Sequence, residues 1–158
     1  MRLRLKLRFT LYGAVVLRTA QSSVNPELRF VQPPLQVLQP KSRWRSASKS
    51  SAVAAAGAVE HLSVARVRNL ADWLAEAKEA GFWIWGADAE AEQRPWEVDL
   101  AGPTVLVLGG EGKGIRPRVA GACDGLVSLP QRGRVASLNV SAAATALLFE
   151  ALRQRDLG

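Results

Sequence analysis

The 158-residue chain predicts an α/β fold, a parallel sheet flanked by helices, and three observations carry that expectation. Thr104–Leu108 (TVLVL) is β-branched and apolar without a break, as expected of a parallel strand covered on both faces. Strand-like runs alternate with helix-like runs from Ala52 to Arg155. The last run, Ala136–Arg155, sets Val140, Ala144, Leu147, Leu148 and Ala151 on one side at helical spacing. At 48% apolar and 22% charged, the composition matches one ordinary globular domain with one sizeable core.

Along the chain, residues 2–9 (RLRLKLRF) alternate Leu or Phe with Arg or Lys, a period of two that predicts a half-buried strand. Gly13–Ala20 reads as a short helix. Gln21–Ser51 holds Pro26, Pro33, Pro34 and Pro40 and an Arg/Ser/Lys-rich end, which predicts irregular backbone. Ala52–Val59 reads as a short helix and Val64–Val67 as a short strand. Asn69 is suited to an N-cap before a stripe of Leu70, Trp73, Leu74 and Ala77, and Gly81 to the stop. Phe82–Trp85 reads as an apolar strand, Asp88–Pro95 as an acidic loop and Gly109–Gly114 as a second loop. Arg116–Ala122 then predicts a short helix and Gly125–Leu129 a strand.

Charge divides the chain. The first 50 residues carry ten Lys/Arg against one acid, Glu27, whereas the remainder is slightly acidic. Such a basic block attracts phosphate backbones without reading sequence, or is a solvated arm. Nucleic acid is favoured over a membrane surface because no segment sets a broad apolar helix face opposite its charges. A lone cysteine, Cys123, excludes a disulfide framework and points to a reducing, cytoplasmic setting. One histidine, His61, leaves little for a zinc centre or a Ser-His-Asp hydrolase, so no metal is expected. No apolar run approaches the roughly 20 residues that cross a bilayer, and the amino-terminal alternation is unlike a secretory signal.

Chemistry is expected in three places. The run LGGEGKGIRP, Leu108–Pro117, places four glycines in six residues directly after the strongest strand. It fails as a P-loop, because Gly114 follows Lys113 where Ser or Thr is needed, and its spacing is not GxGxxG. Glu111 would repel phosphate, so the loop suits a positively charged ligand, or is a tight strand-to-helix turn. In ASLNVSAAA, Ala136–Ala144, Ser137 and Asn139 stand where a helix begins; capping alone explains either. The third place is the strand exit through Leu129 and Pro130. Trp83 and Trp85 read as strand packing or base stacking, Cys123 as a core residue, and His61 as structural. Arg132 and Arg134 border the third place, where they meet RNA phosphates or solvent.

Together these runs, VLVLGGEGKGIRP, CDGLVSLP and VASLNVSAAATALLFEALRQR, resemble the SpoU (TrmH) family of the SPOUT superfamily. The likeness is greatest to the ribosomal RNA guanosine 2′-O-ribose methyltransferases and extends back to residue 52. It implies a C-terminal trefoil knot, S-adenosyl-L-methionine as cofactor, an RNA substrate (ribosomal rather than transfer RNA), and a homodimer. Carried over by motif position, Gly109, Leu129 and Leu138 would hold the cofactor, and Glu111, Ser137 and Asn139 would supply catalytic polar groups. The family's first motif, Asn-x-Gly-Ala-x-x-Arg-x-Ala, has its counterpart in YGAVVLRTA, with Arg18 as the catalytic arginine.

That first motif departs from the family. Leu11 replaces its asparagine, and Gly13 and Arg18 are five apart instead of four, which on a helix adds about 100° of rotation. Residues 1–51 therefore read as a degenerate, damaged or frame-shifted basic part of the domain, and residues 52–158 as the SpoU-type domain with the knot. The competing reading is a catalytically inactive SpoU-like domain that binds cofactor or RNA, or only dimerises.

Overall fold

The computed structural model describes residues 13–17, 35–40, 63–110, 114–131 and 138–157. In chain order the described elements are β1 (Gly13–Leu17), β2 (Leu35–Pro40), β3 (Ser63–Val67), α1 (Leu70–Glu79), β4 (Trp83–Ala87) and β5 (Thr104–Leu108). They continue with α2 (Pro117–Ala120), β6 (Gly125–Val127) and α3 (Val140–Leu157), and a 3-10 turn at Pro95–Glu97 precedes β5. The strands form one sheet ordered β3-β2-β1-β5-β4-β6.

The parallel expectation holds for five of these strands. β2 pairs parallel with β3, and β4 pairs parallel with both β5 and β6. β1 is the exception, antiparallel to β2 on one side and to β5 on the other. Its backbone also corrects the helix expected at Gly13–Ala20: Gly13–Leu17 is a strand. Val15 and Val16 favour extended backbone, and ladders on both edges outweigh a short helix with no partner of its own. The irregular stretch expected at 21–51 is corrected as well, because Leu35–Pro40 is a strand. Pro33 and Pro34 precede that run and Pro40 ends it, so the prolines bracket the strand and leave Leu35–Gln39 free to donate. The runs expected at 2–9 and 52–59 lie outside the described residues.

β5 shows why an unbroken apolar run was needed. All five of its residues are buried. Leu106 and Leu108 enter one cluster with Val140, Ala144, Leu147 and Ala151 of α3. Val105 and Val107 enter the opposite cluster with Leu70, Leu74 and Ala77 of α1 and Val119 of α2. The alternation of a strand thus distributes its side chains to two helix layers. Complete burial of a residue such as Leu74, Leu106 or Leu147 stabilises the fold by about 1.5–3 kcal/mol.

Local signals set the ends of α1. The Asn69 Oδ1 accepts the Ala71 N–H at 3.1 Å, as an N-cap does. At the other end the Gly81 N–H donates to the Lys78 carbonyl (2.9 Å) and the Phe82 N–H to the Ala77 carbonyl (3.0 Å). That paired closure needs a left-handed residue, and Gly81 has φ +83°. The stop returns the chain directly into β4.

Candidate functional site

β4, β5 and β6 end together. Ala87, the last residue of β4, is in register with Leu108 of β5 and Val127 of β6, each the last of its own strand. Three parallel strands therefore finish on one line, the place where open α/β sheets bind ligands. A cavity of about 230 Å³ lies there. Ala87, Asp88 and Ala89 form one wall, Leu108, Gly109 and Gly114 a second, and Val127, Leu129 and Gln131 a third. Leu138, Asn139, Val140 and Ala143, at the start of α3, close it.

The second wall requires glycine. A Cβ on residue 109 would stand 2.6 Å from the Gly114 carbonyl oxygen and 2.7 Å from the Ile115 nitrogen. The chain returns this closely because Gly110 and Gly114 exchange hydrogen bonds, N–H to carbonyl, at 3.2 and 3.1 Å. Gly114 turns the chain at φ +57°. These two amides are paired with each other, so neither is free to cradle a phosphate. The tight turn and the ligand wall are one structure.

The α3 end is organised by Asn139. Its side-chain oxygen accepts the Ser141 N–H at 2.8 Å and its carbonyl accepts the Ala143 N–H at 3.0 Å. It is the N-cap of α3, so the capping reading of this residue holds, and the cap stands at the cavity. Leu138 beside it is 45% exposed. Among the described residues, Asp88 is the charged side chain of the lining, and no Lys or Arg joins it. Gln131 and Asn139 add neutral amides, and the rest of the lining is apolar or glycine, a poor host for phosphate.

Gly109, Leu129, Leu138 and Asn139, all marked by the motifs, thus line one cavity. Arg18, Glu111 and Ser137 lie outside the described residues, as do His61, Arg132 and Arg134. Motif reading missed Ala87, Asp88 and Ala89. The signal for them was available: the crevice rule applied to the end of Phe82–Trp85 nominates the residues that follow it.

Other candidates resolve structurally. Trp85 packs against the α3 cluster as expected of a strand residue, but Trp83 is 55% exposed. The Cys123 thiol donates to the Val119 carbonyl at 3.3 Å, and burial pushes its pKa up to about 11, so it is no thiolate at neutral pH. Among the described residues, no three His, Cys, Asp or Glu gather where a metal ion could sit, and no helix is long and apolar enough to cross a membrane.

The model of the SpoU rRNA Methylase family matches residues 35–149. The chain belongs to the SpoU rRNA methylase family. The match starts at the first residue of β2, inside the stretch whose sequence looked aberrant. The chain is 43% identical over 122 residues to the 23S rRNA (guanosine-2′-O-)-methyltransferase RlmB of Pseudomonas syringae pv. tomato, covering 77% of this chain and 49% of that protein. It is 44% identical over 121 residues to RlmB of Ralstonia nicotianae, again covering 77% and 49%. The chain spans about half the length of the curated relatives it matches. Among solved structures it is similar to the SpoU methyltransferase AviRb from Streptomyces viridochromogenes in complex with AdoMet, with a TM-score of 0.69 and 30% identity over 78% of this chain and 51% of that one. The A. aeolicus TrmH/SpoU tRNA modifying enzyme is similar too, with a TM-score of 0.69 and 31% identity over 77% and 61%.

Proposed function

We propose that this chain is an S-adenosylmethionine-dependent methyltransferase domain that modifies a ribose 2′-hydroxyl in RNA, ribosomal rather than transfer RNA. One observation carries the reading: Gly109, Leu129 and Leu138, far apart in sequence, line a single cavity at the joined ends of β4, β5 and β6. The AdoMet complex of AviRb and the RlmB names of the relatives support it.

The lining fits the cofactor. A mainly apolar cleft with one carboxylate, two side-chain amides (Gln131 and Asn139) and no cation among the described residues favours a cationic molecule over a polyphosphate. Gly109, Leu129 and Leu138 hold it through main-chain groups, and the amino end of α3 offers N–H groups to a carboxylate. When bound, the cofactor supplies an electrophilic methyl group on a sulfonium sulfur. The chain's own groups supply the rest. Glu111, Ser137 and Asn139 provide polar groups around the reacting hydroxyl, and Arg18 meets an RNA phosphate and assists proton loss from the ribose oxygen. Asn139 also fixes the first turn of α3 through its side-chain oxygen.

The same reading includes a C-terminal trefoil knot, a homodimer joined through α3, a cytoplasmic setting, and a division between an atypical part at 1–51 and the domain proper at 52–158. The order β5-β4-β6, with α3 packed back on Leu106 and Leu108, supports a chain that crosses itself. Phe149 (59% exposed) and Leu152 (43%) on α3 support the dimer. Calorimetry with S-adenosylmethionine and transfer of a tritiated methyl group to bulk ribosomal or transfer RNA test the function. Saturable binding, with label on ribosomal RNA above a heat-killed control, is expected; absence of binding would overturn it.

One observation favours a second reading, a cofactor-binding domain without transfer. Gly13 is in register with Leu108 at the cavity, but Leu17 is in register with Thr104 at the far end of β5. The strand that precedes Arg18 therefore leads away from the cavity by about 13 Å over its four steps. Binding with no label on either RNA would establish this reading.

A further inference from the structure

We propose that Ser128 and Arg94 are positioning residues that clamp the Asp88–Arg94 loop into place as a wall of the cofactor cleft. This rests on the cofactor reading above. Ser128 is the first residue after β6 and is 1% exposed. Its hydroxyl donates to the Ala91 carbonyl at 2.7 Å and accepts a hydrogen bond from the Arg94 Nη1. Its N–H donates to the Gln93 carbonyl at 2.9 Å, and the Asp88 N–H donates to the Val127 carbonyl at 3.0 Å. Arg94 is fixed in turn, because its N–H donates to the Glu97 carboxylate at 2.7 Å.

A loop of seven residues is thereby tied to the β6 exit at both ends and in its middle. The ties are what a surface loop lacks by default: this one has no apolar stripe of its own, and its residues Glu90, Glu92 and Gln93 are charged or polar and exposed. Asp88 and Ala89 at its start line the cavity together with Leu138 and Asn139, and Leu129, next to Ser128, lines it too. One buried hydroxyl thus sets the spacing of two walls. Neither Ser128 nor Arg94 lines the cavity, so neither touches the cofactor; they act through the backbone they hold. Pre-set walls bind better than walls that must be ordered on binding.

Ser128→Ala, Arg94→Ala and Arg94→Lys in the full chain test this, read by calorimetry with S-adenosylmethionine, by thermal midpoint and by amide exchange. Both alanine variants are expected to weaken binding about five- to tenfold, the double variant no more than either alone. Exchange should rise at Ala91–Arg94 and stay unchanged in α1, and Arg94→Lys, which keeps a cationic donor, should recover part of the loss. A loss of midpoint with affinity retained would mean a merely structural role and overturn the proposal. If Ser128→Ala does not fold, the two Arg94 variants decide by the same readings. A parent chain that takes no S-adenosylmethionine would overturn the cofactor reading itself, and the proposal with it. Binding by the parent matched by every variant overturns the clamp alone.

Discussion

The two ends of the sheet are built differently. At the carboxyl ends of β4, β5 and β6 the chain leaves a cavity edged by main chain, small residues and a helix start. At the opposite end, side chains from the last turn of α3 bond to the chain that leads into β5. The Gln154 amide donates to the carbonyls of Pro95 (3.2 Å) and Val98 (3.1 Å), and its oxygen accepts the Leu100 N–H at 2.8 Å. Arg155 donates to the carbonyls of Ala101 (3.1 Å) and Gly102 (2.8 Å). Polar groups at the closed end already have partners within the fold. At the open end the bonded Asn139 cap and the Gly110–Gly114 pair border a space, and the difference separates stability from binding along one helix.

Leu147 sits between the two ends, fully buried against Leu106. Leu147→Ala should lower the unfolding free energy by about 2–5 kcal/mol in urea titration and weaken both ends together. Gly109→Ala should break the open end alone. The new methyl group would press on Gly114 and Ile115, and displacement of the wall should weaken S-adenosylmethionine binding about 10- to 100-fold in calorimetry. Gln154→Ala is its counterpart at the closed end. It leaves the Leu100 N–H and Val98 carbonyl without partners and should cost about 1–3 kcal/mol of stability, with cofactor affinity unchanged.

Asn139→Ala probes the boundary between the two roles. Loss of the cap should cost about 1 kcal/mol of stability, measured by thermal melting, while methyl transfer to RNA falls strongly. The smallest effect is at Glu150, whose carboxylate accepts from Arg153 and Gln154; these bonds lower its pKa from 4.5 to about 2. Its contribution is whole above about pH 5 and is lost as pH falls through 2, because the unfolded carboxyl protonates first. A urea midpoint for Glu150→Gln below that of the parent at pH 6, with the gap closing toward pH 2, is the expected outcome.

Where one signal dictated one structure, the sequence could be read directly. Thr104–Leu108 has no polar face and became a strand covered twice; Asn69 and Gly81 bracket α1 because a cap and a left-handed stop are local properties. Glycines after β5 and Asn139 before α3 were legible for the same reason. β1 was not, since Gly13–Leu17 owes its strand to β2 and β5, which lie far along the chain. β2 was hidden by prolines that turned out to border it. Asp88 lies outside the motif runs, and Ser128, though inside CDGLVSLP, had no role assigned; both gained meaning when the register set Ala87 and Val127, the residues before them, at the cavity.

Gly125 has a consequence outside the cleft. The indole ring of Trp85 occupies the space that a Cβ on residue 125 would fill, and its buried Nε1 has no hydrogen-bond partner among the described residues. Trp83, two residues earlier on the same strand, faces solvent. The protein therefore carries a half-buried fluorophore next to an exposed one. In a variant that keeps only this pair of tryptophans, blue-shifted emission from Trp85 would report β4–β6 packing, with Trp83 as a built-in reference that acrylamide quenches first.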